Sequence, residues 1–301
     1  MAKQGRKSKS KSVLTSFLFF IAVVAVILGR FNSSFETVRE TTDTVTKANS
    51  SVVAVHFIDV GQGSSTLLQS GSLGILIDAG EKEYGEDVLK YLRSNGISEL
   101  EYIVATHPHT DHIGGLLTIL ENFKVKNIIM PKLTAQNTPT TKTYEKLLET
   151  IAQKKIKAIA ASYGKEYSAG EISLKILGPV EQNKDLNNMS VICKAVVRTT
   201  SVMLVGDAET PEMKSILSYE PDLSCDIMLM GHHGSRTSLQ KSFLKQVAPN
   251  LAIISCGKNN SYGHPHEETL KYLKNNKIEF FRTDLNGTVV VKCFDDGYRI
   301  I

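Results

Sequence analysis

The sequence predicts an α/β protein in which two mixed sheets pack face to face with helices over their outer faces. Three observations predict it. From Val52 onward, short β-rich apolar runs recur, each bounded by Gly, Asp or Asn. Amphipathic helical segments fall between them, near residues 85–94, 113–122, 143–154, 209–217, 238–246 and 267–275. The order also has a loose two-part rhythm, strands first and then strand–helix alternation, with no short tandem repeat. Sheets and helices that are apolar on one face must be covered, and two helix-backed sheets facing each other satisfy both.

Taken in order, the first half reads VVAVHFIDV, STLLQ, GILIDAG, EYIVATH and VKNIIMP. The second reads SLKILGP, SVICKAVVRTT, SVMLVGDAE, DIMLMGHH and LAIISCG, and closes with IEFF and TVVVKCF. His, Asp and Gly fall mostly just after such runs, so polar groups are expected along one edge of the sandwich, where strand ends open. The 42% hydrophobic and 22% charged fractions over 301 residues allow a large core without disulfide staples. Cys193, Cys225, Cys256 and Cys293 are widely spaced and form no CxxC pair. They read as small buried residues and not as a zinc knuckle.

The net charge of +4 is concentrated at the N-terminus. Residues 1–30 carry Lys3, Arg6, Lys7, Lys9, Lys11 and Arg30 and no acid, which leaves 29 basic against 31 acidic residues elsewhere. The body is therefore not a general polyanion binder, and DNA would need a local basic groove. After the basic residues 1–12, the stretch VLTSFLFFIAVVAVILG (residues 13–29) is uncharged and reads as a membrane anchor or signal. Its flanking lysines place the N-terminus in the cytoplasm and the remainder outside. A single-pass membrane protein with an extracellular C-terminal domain is expected, with secretion after cleavage as the alternative. Residues 30–51, rich in Ser, Thr and charge, read as a linker, and residues 52–301 as the working domain.

The chemistry centres on THPHTDHIGG, Thr106 to Gly115, which follows the apolar run YIVA and opens a helix. His107 and His109 can face the same way from an extended backbone, and Asp111 and His112 follow where the chain turns. Three imidazoles and a carboxylate in six residues exceed what one zinc-like ion needs and suit two adjacent divalent ions, zinc or manganese. Asp59 and Asp78, at strand ends, read as carboxylates that orient ligand imidazoles. Nucleotide cofactors are set aside, because Gly61-Gln62-Gly63 belongs to no phosphate-loop pattern. There is no G-x-S-x-G for a serine nucleophile.

HPHTDH resembles the H-x-H-x-D-H signature of the metallo-β-lactamase superfamily. The flanking HFIDVGQG, ILIDAG, LVGDAE and GHHGSRTS resemble, in order, the metallo-β-lactamase-like domain of the ComEC family of DNA-uptake proteins. The resemblance spans nearly all of residues 52–301 and implies a four-layer αββα sandwich. It lacks the multi-span channel region of that family, so a stand-alone hydrolase is expected. The resemblance implies that His107 and His109 hold one metal and Asp111 and His112 the second, with Asp207 bridging. His264 then completes the second site. One of His232 and His233 lines the pocket, with His233 assigned to catalysis beside Asp111, and His266 and Ser235 lie close to substrate.

This sequence departs from the superfamily at LNNMSVICKAV, where many members supply a further first-site histidine and Asn187 and Asn188 stand instead. Ser64 and Ser65 likewise follow the glycine motif where an acid is usual. The resemblance implies a metal-dependent hydrolase, with a phosphodiester, DNA first among them, as expected substrate. A cell-envelope phosphocholine ester and a metal-binding module without catalysis are the alternatives.

Overall fold

The structure, a computed structural model, describes residues 52–301 apart from Glu220. The membrane segment and linker expected over residues 13–51 lie outside the described residues. Among the described residues, no helix is long and apolar enough to cross a membrane.

The chain enters with β1 (Val53–Phe57), β2 (Thr66–Ser70), β3 (Leu73–Ile77), β4 (Glu99–Val104), β5 (Val125–Met130) and β6 (Lys157–Ala160). The second half adds β7 (Glu166–Ala169), β8 (Ile172–Gly178), β9 (Ile192–Val197), β10 (Thr200–Leu204), β11 (Ile227–Leu229), β12 (Leu251–Ile254) and β13 (Glu279–Arg282). The hairpin β14 (Val289–Phe294) and β15 (Gly297–Ile300) then returns to the first sheet, whose order is β15-β14-β1-β2-β3-β4-β5-β6. The second sheet runs β13-β12-β11-β10-β9-β8-β7. Apart from β14 and β15, which pair antiparallel at the edge of the first sheet, each sheet is antiparallel in its early strands and parallel in its later ones. The two-part rhythm of the sequence is this repetition, since parallel neighbours need a crossover and hairpins do not.

Strand alternation separates three apolar layers. Val53, Val55 and Phe57 of β1 and Ile172, Leu174 and Ile176 of β8 face each other between the sheets. Lys175, on the opposite face of β8, is exposed. Outside the first sheet, α1 (Gly85–Ser94) buries Val88, Leu89 and Leu92, positions on one helical face. It is joined there by α2 (Thr110–Ile113), α3 (Leu116–Asn122) and α4 (Lys142–Gln153). Outside the second sheet, α5 (Thr210–Leu217), α6 (Lys241–Val247) and α7 (Glu267–Asn275) cover a separate layer with Met213, Phe243 and Leu273. The short α8 (Thr283–Asn286) follows β13. The order is helix, sheet, sheet, helix, as the resemblance implied. All four cysteines are free and buried.

The parallel strands β3, β4, β10, β11 and β12 end on the same edge, and the loops after them carry the His and Asp residues of the sequence motifs. Parallel strands concentrate loops in this way, because each crossover returns the chain to the opposite edge. Two close approaches fix the loop after β4. Ser64 donates its N–H to the Asp111 carbonyl at 3.1 Å, and a Cβ on Gly63 would lie 2.6 Å from that oxygen. Gly115 sits against the Ala79 carbonyl so closely that a Cβ there would collide with it. Gly115→Ala is expected to cost about 1–3 kcal/mol through overpacking, seen as a lower urea midpoint. An unchanged midpoint would contradict this packing.

Candidate metal centre

His107, His109, Asp111 and His112 follow β4, Asp207 follows β10 and His233 follows β11. The strands bring their donor atoms into two groups, each with all its atoms within 4.8 Å of one another. One group is His107, His109 and Asp207; the other is Asp111, His112, Asp207 and His233. Asp207 belongs to both. Its side chain is 4% exposed, and His107, His112, His232 and His233 approach the carboxylate at 3.7, 3.0, 3.7 and 3.7 Å.

The imidazoles are aimed by what their other nitrogens bond. His112 Nδ1 donates to Asp78 Oδ2 at 2.7 Å, which leaves Nε2 as the lone-pair nitrogen facing Asp207. That Nε2 is buried and, although 3.0 Å from Asp207 Oδ1, is not aligned for a hydrogen bond, so it has no partner among the described residues. His233 Nδ1 donates to the Ser255 carbonyl at 2.9 Å and turns Nε2 toward Asp111 Oδ2 at 3.1 Å. His107 Nε2 and His109 Nδ1 lie 3.0 Å apart. Two nitrogens bonded to one tetrahedral zinc-like ion at its usual bond lengths lie about 3.3 Å apart. The spacings, the carboxylates and the orphaned His112 nitrogen therefore fit divalent metal.

The backbone stores strain to achieve this. His232 and His233 both adopt left-handed conformations, with φ of 49° and 54°. Such a conformation costs a non-glycine residue roughly 1–3 kcal/mol. It is held by His232 N–H on the Gly206 carbonyl at 3.1 Å, Ser235 N–H on the His232 carbonyl at 2.8 Å and the His233–Ser255 bond.

The charge each group favours is set by its buried neighbours. Burial works against a charge on His112, but the adjacent Asp207 and Asp78 outweigh it and raise its pKa well above the ordinary value. His233 is raised in the same sense, burial being outweighed by Asp207 and Asp111. Asp207 and Asp111 are held below the carboxylate range because the neighbouring histidines outweigh burial. His107 is pushed down by burial and by His112. Positive charge is thus favoured on His112 and His233, in the second group.

The remaining expected residues fall in different places. Asp78 is fully buried beneath the cluster, where it accepts from Thr106 N–H at 2.8 Å and Thr106 Oγ1 at 2.7 Å besides His112. Asp59, expected to act similarly, is exposed and accepts from Gly61 N–H at 3.1 Å; it shapes the glycine turn and orients no imidazole. His264, expected in the second group, is outside both. It follows β12, one strand beyond β11, and its ring sits 6.0 Å from that of His233. Burial and the charges of His233 and His232 lower its pKa to about 4. His232 leans toward Asp207 with Nε2 and toward Glu209 Oε1 with Nδ1 at 3.3 Å. His266 N-caps α7 positionally, and its Nδ1 accepts from Arg236 N–H at 3.0 Å. Ser235 caps the next turn by accepting from Thr237 N–H. Both are spent on local structure.

The cluster opens into a cavity of about 400 Å³ bordered by His109, Asp111, His232, His233 and His264. Gln62, Asn187 and Tyr262 also border it, and sequence reasoning gave none of them a role there. Gln62 Oε1 accepts from Gly257 N–H at 3.0 Å. The exposed Tyr262 ring stacks on His264, with centroids 5.7 Å apart and an interplanar angle of 18°. The Gly-Gln-Gly run was the available signal for Gln62, but it points to a phosphate loop only in another context.

Asp78→Asn tests the aiming of His112. Thr106 N–H requires an acceptor at the Oδ1 position, so the amide would present N–H₂ to His112 Nδ1 and move the proton to Nε2. Metal affinity is expected to fall by about 10–100-fold with the fold intact, measured by competition with a chelator. Unaltered affinity would contradict the role given to Asp78.

Residues 58–179 match the metallo-β-lactamase superfamily. The chain is 32% identical over 256 residues to ComE operon protein 3 of Bacillus subtilis, an alignment covering 78% of this chain and 32% of that protein. It is 31% identical over 253 residues to Recombination protein 2 of Haemophilus influenzae, covering 82% and 29%. The chain thus spans about a third of the length of these curated relatives. The fold is similar to that of the metallo-β-lactamase fold protein YhfI of Bacillus subtilis, with a TM-score of 0.52 and 14% identity over 80% of this chain and 99% of that one. The chain carries a metallo-β-lactamase superfamily domain and is homologous over most of its length to these two proteins.

Proposed function

We propose that the domain is a metal-dependent phosphodiesterase acting through two divalent ions, zinc or manganese, with DNA as the first substrate class to test. The observation that carries this reading is the sharing of one buried carboxylate, Asp207, between two ligand groups. A single ion would leave one of the groups, and its buried imidazoles, without purpose. Divalent ions held there would acidify water toward hydroxide at neutral pH and offset negative charge on a phosphoryl oxygen. The chain's own residues set up the rest. Asp111, the more open of the two carboxylates with a quarter of its side chain accessible, faces the cavity and can hold a water in line with a bound ester. His233, bonded to Asp111 and locked by Ser255, keeps that carboxylate turned inward.

Among the described residues no lysine or arginine borders the cavity, so there the charge of a phosphodiester would be met by the ions and histidines. The competence relatives motivate DNA as the first polymer to try, and an outward-facing, membrane-tethered domain would meet it outside the cell. Stripped of metal with chelator, the protein is expected to lose hydrolysis of bis(p-nitrophenyl) phosphate and to regain it with zinc or manganese. Asp111→Ala should lower the restored rate by on the order of a hundredfold or more. Stoichiometric metal uptake with no turnover of the diester or of DNA would overturn the proposal.

A further inference from the structure

We infer that Asn187 supplies its side-chain carbonyl oxygen to the first ligand group, beside His107, His109 and Asp207, and so biases that position toward a harder ion than a histidine would. The inference rests on the two-ion reading proposed above. The second group contains four residues and the first only three, which leaves room on an ion there for a further oxygen donor. Asn187 borders the same cavity as His109 and Asp207. Its Oδ1 is buried and has no hydrogen-bond partner among the described residues. An unpaired buried amide oxygen costs about 1–3 kcal/mol, and a cation would satisfy it.

The segment that carries Asn187 is tied to both sides of the first group. Residue 188 belongs to the same short turn, Asn187–Met189, and Asn188 Oδ1 accepts from the N–H groups of Glu209 and Glu212 at 3.2 and 3.3 Å. Ser190 Oγ accepts from Asp207 N–H at 3.1 Å, and Val191 N–H donates to the Thr106 carbonyl at 2.8 Å, one residue before His107. Two adjacent asparagines therefore differ in kind. Asn188 is consumed in holding α5 to the turn, whereas the Asn187 oxygen remains unspent beside the cluster. An amide oxygen is a harder donor than imidazole and suits manganese better than zinc or copper.

The test uses the full chain and the metals alone. Wild type, Asn187→Ala, Asn187→Asp and Asn187→His are dialysed against manganese or zinc, and bound metal is counted by elemental mass spectrometry. Circular dichroism checks the fold. Wild type is expected to hold two equivalents. Asn187→Ala should hold one tightly while affinity for the other falls about tenfold or more. Asn187→Asp should keep both, and Asn187→His should shift the weaker equivalent from manganese toward zinc. A folded Asn187→Ala protein with two equivalents at wild-type affinity would overturn the assignment while leaving the two-ion reading in place. If that variant does not fold, an Asn187→His protein with unchanged preference overturns it instead. Fewer than two equivalents in wild type would overturn the two-ion reading, and the assignment with it.

Discussion

A carboxylate without solvent is costly unless opposite charge stands beside it, and in this fold four imidazoles crowd Asp207, with positive charge favoured on His112 and His233. They come from two loops, one on each sheet. His107 and His112 belong to the loop after β4 of the first sheet, and His232 and His233 to the loop after β11 of the second. Asp207 itself follows β10. The carboxylate is therefore a point at which the metal-binding loops of the two sheets meet. The strained backbone at His232 and His233 and the buried Asp78 both serve to present nitrogens to it.

The duplicated course of the sheets explains why such a point exists. In each half, antiparallel strands build a floor and parallel strands then open their ends on one edge. Packing the halves face to face places two rows of loops side by side. The apolar layers between and outside the sheets leave these loops few degrees of freedom. The ligand positions are consequently carried by rigid strand ends, which is what a metal site needs if its ligands are to keep their spacing.

Much of this is legible in the sequence. Alternating apolar runs give the strands, and α1 and α7 fall on residues 85–94 and 267–275 as the pattern predicts. The strands β6, β7 and β15 are four-residue edge strands, and unlike β13, which keeps two adjacent phenylalanines, they carry too few large apolar residues to stand out. His107, His109, Asp111 and His112 are legible because six residues hold all four. His233 and His264 are not distinguishable, since the choice depends on which strand lies beside β10, and strand order is not written in local pattern. Asp59 and Asp78 look alike at their strand ends and differ only in burial. Asn187 is visible as a missing histidine; that its oxygen is buried and unpaired is a fact of packing.

The shared role of Asp207 is tested most directly by anomalous X-ray diffraction from crystals of the chain loaded with manganese. The account predicts two anomalous peaks flanking the Asp207 carboxylate, one bonded to His107 and His109 and the other to Asp111, His112 and His233. A single peak, or metal bound away from Asp207, would contradict it.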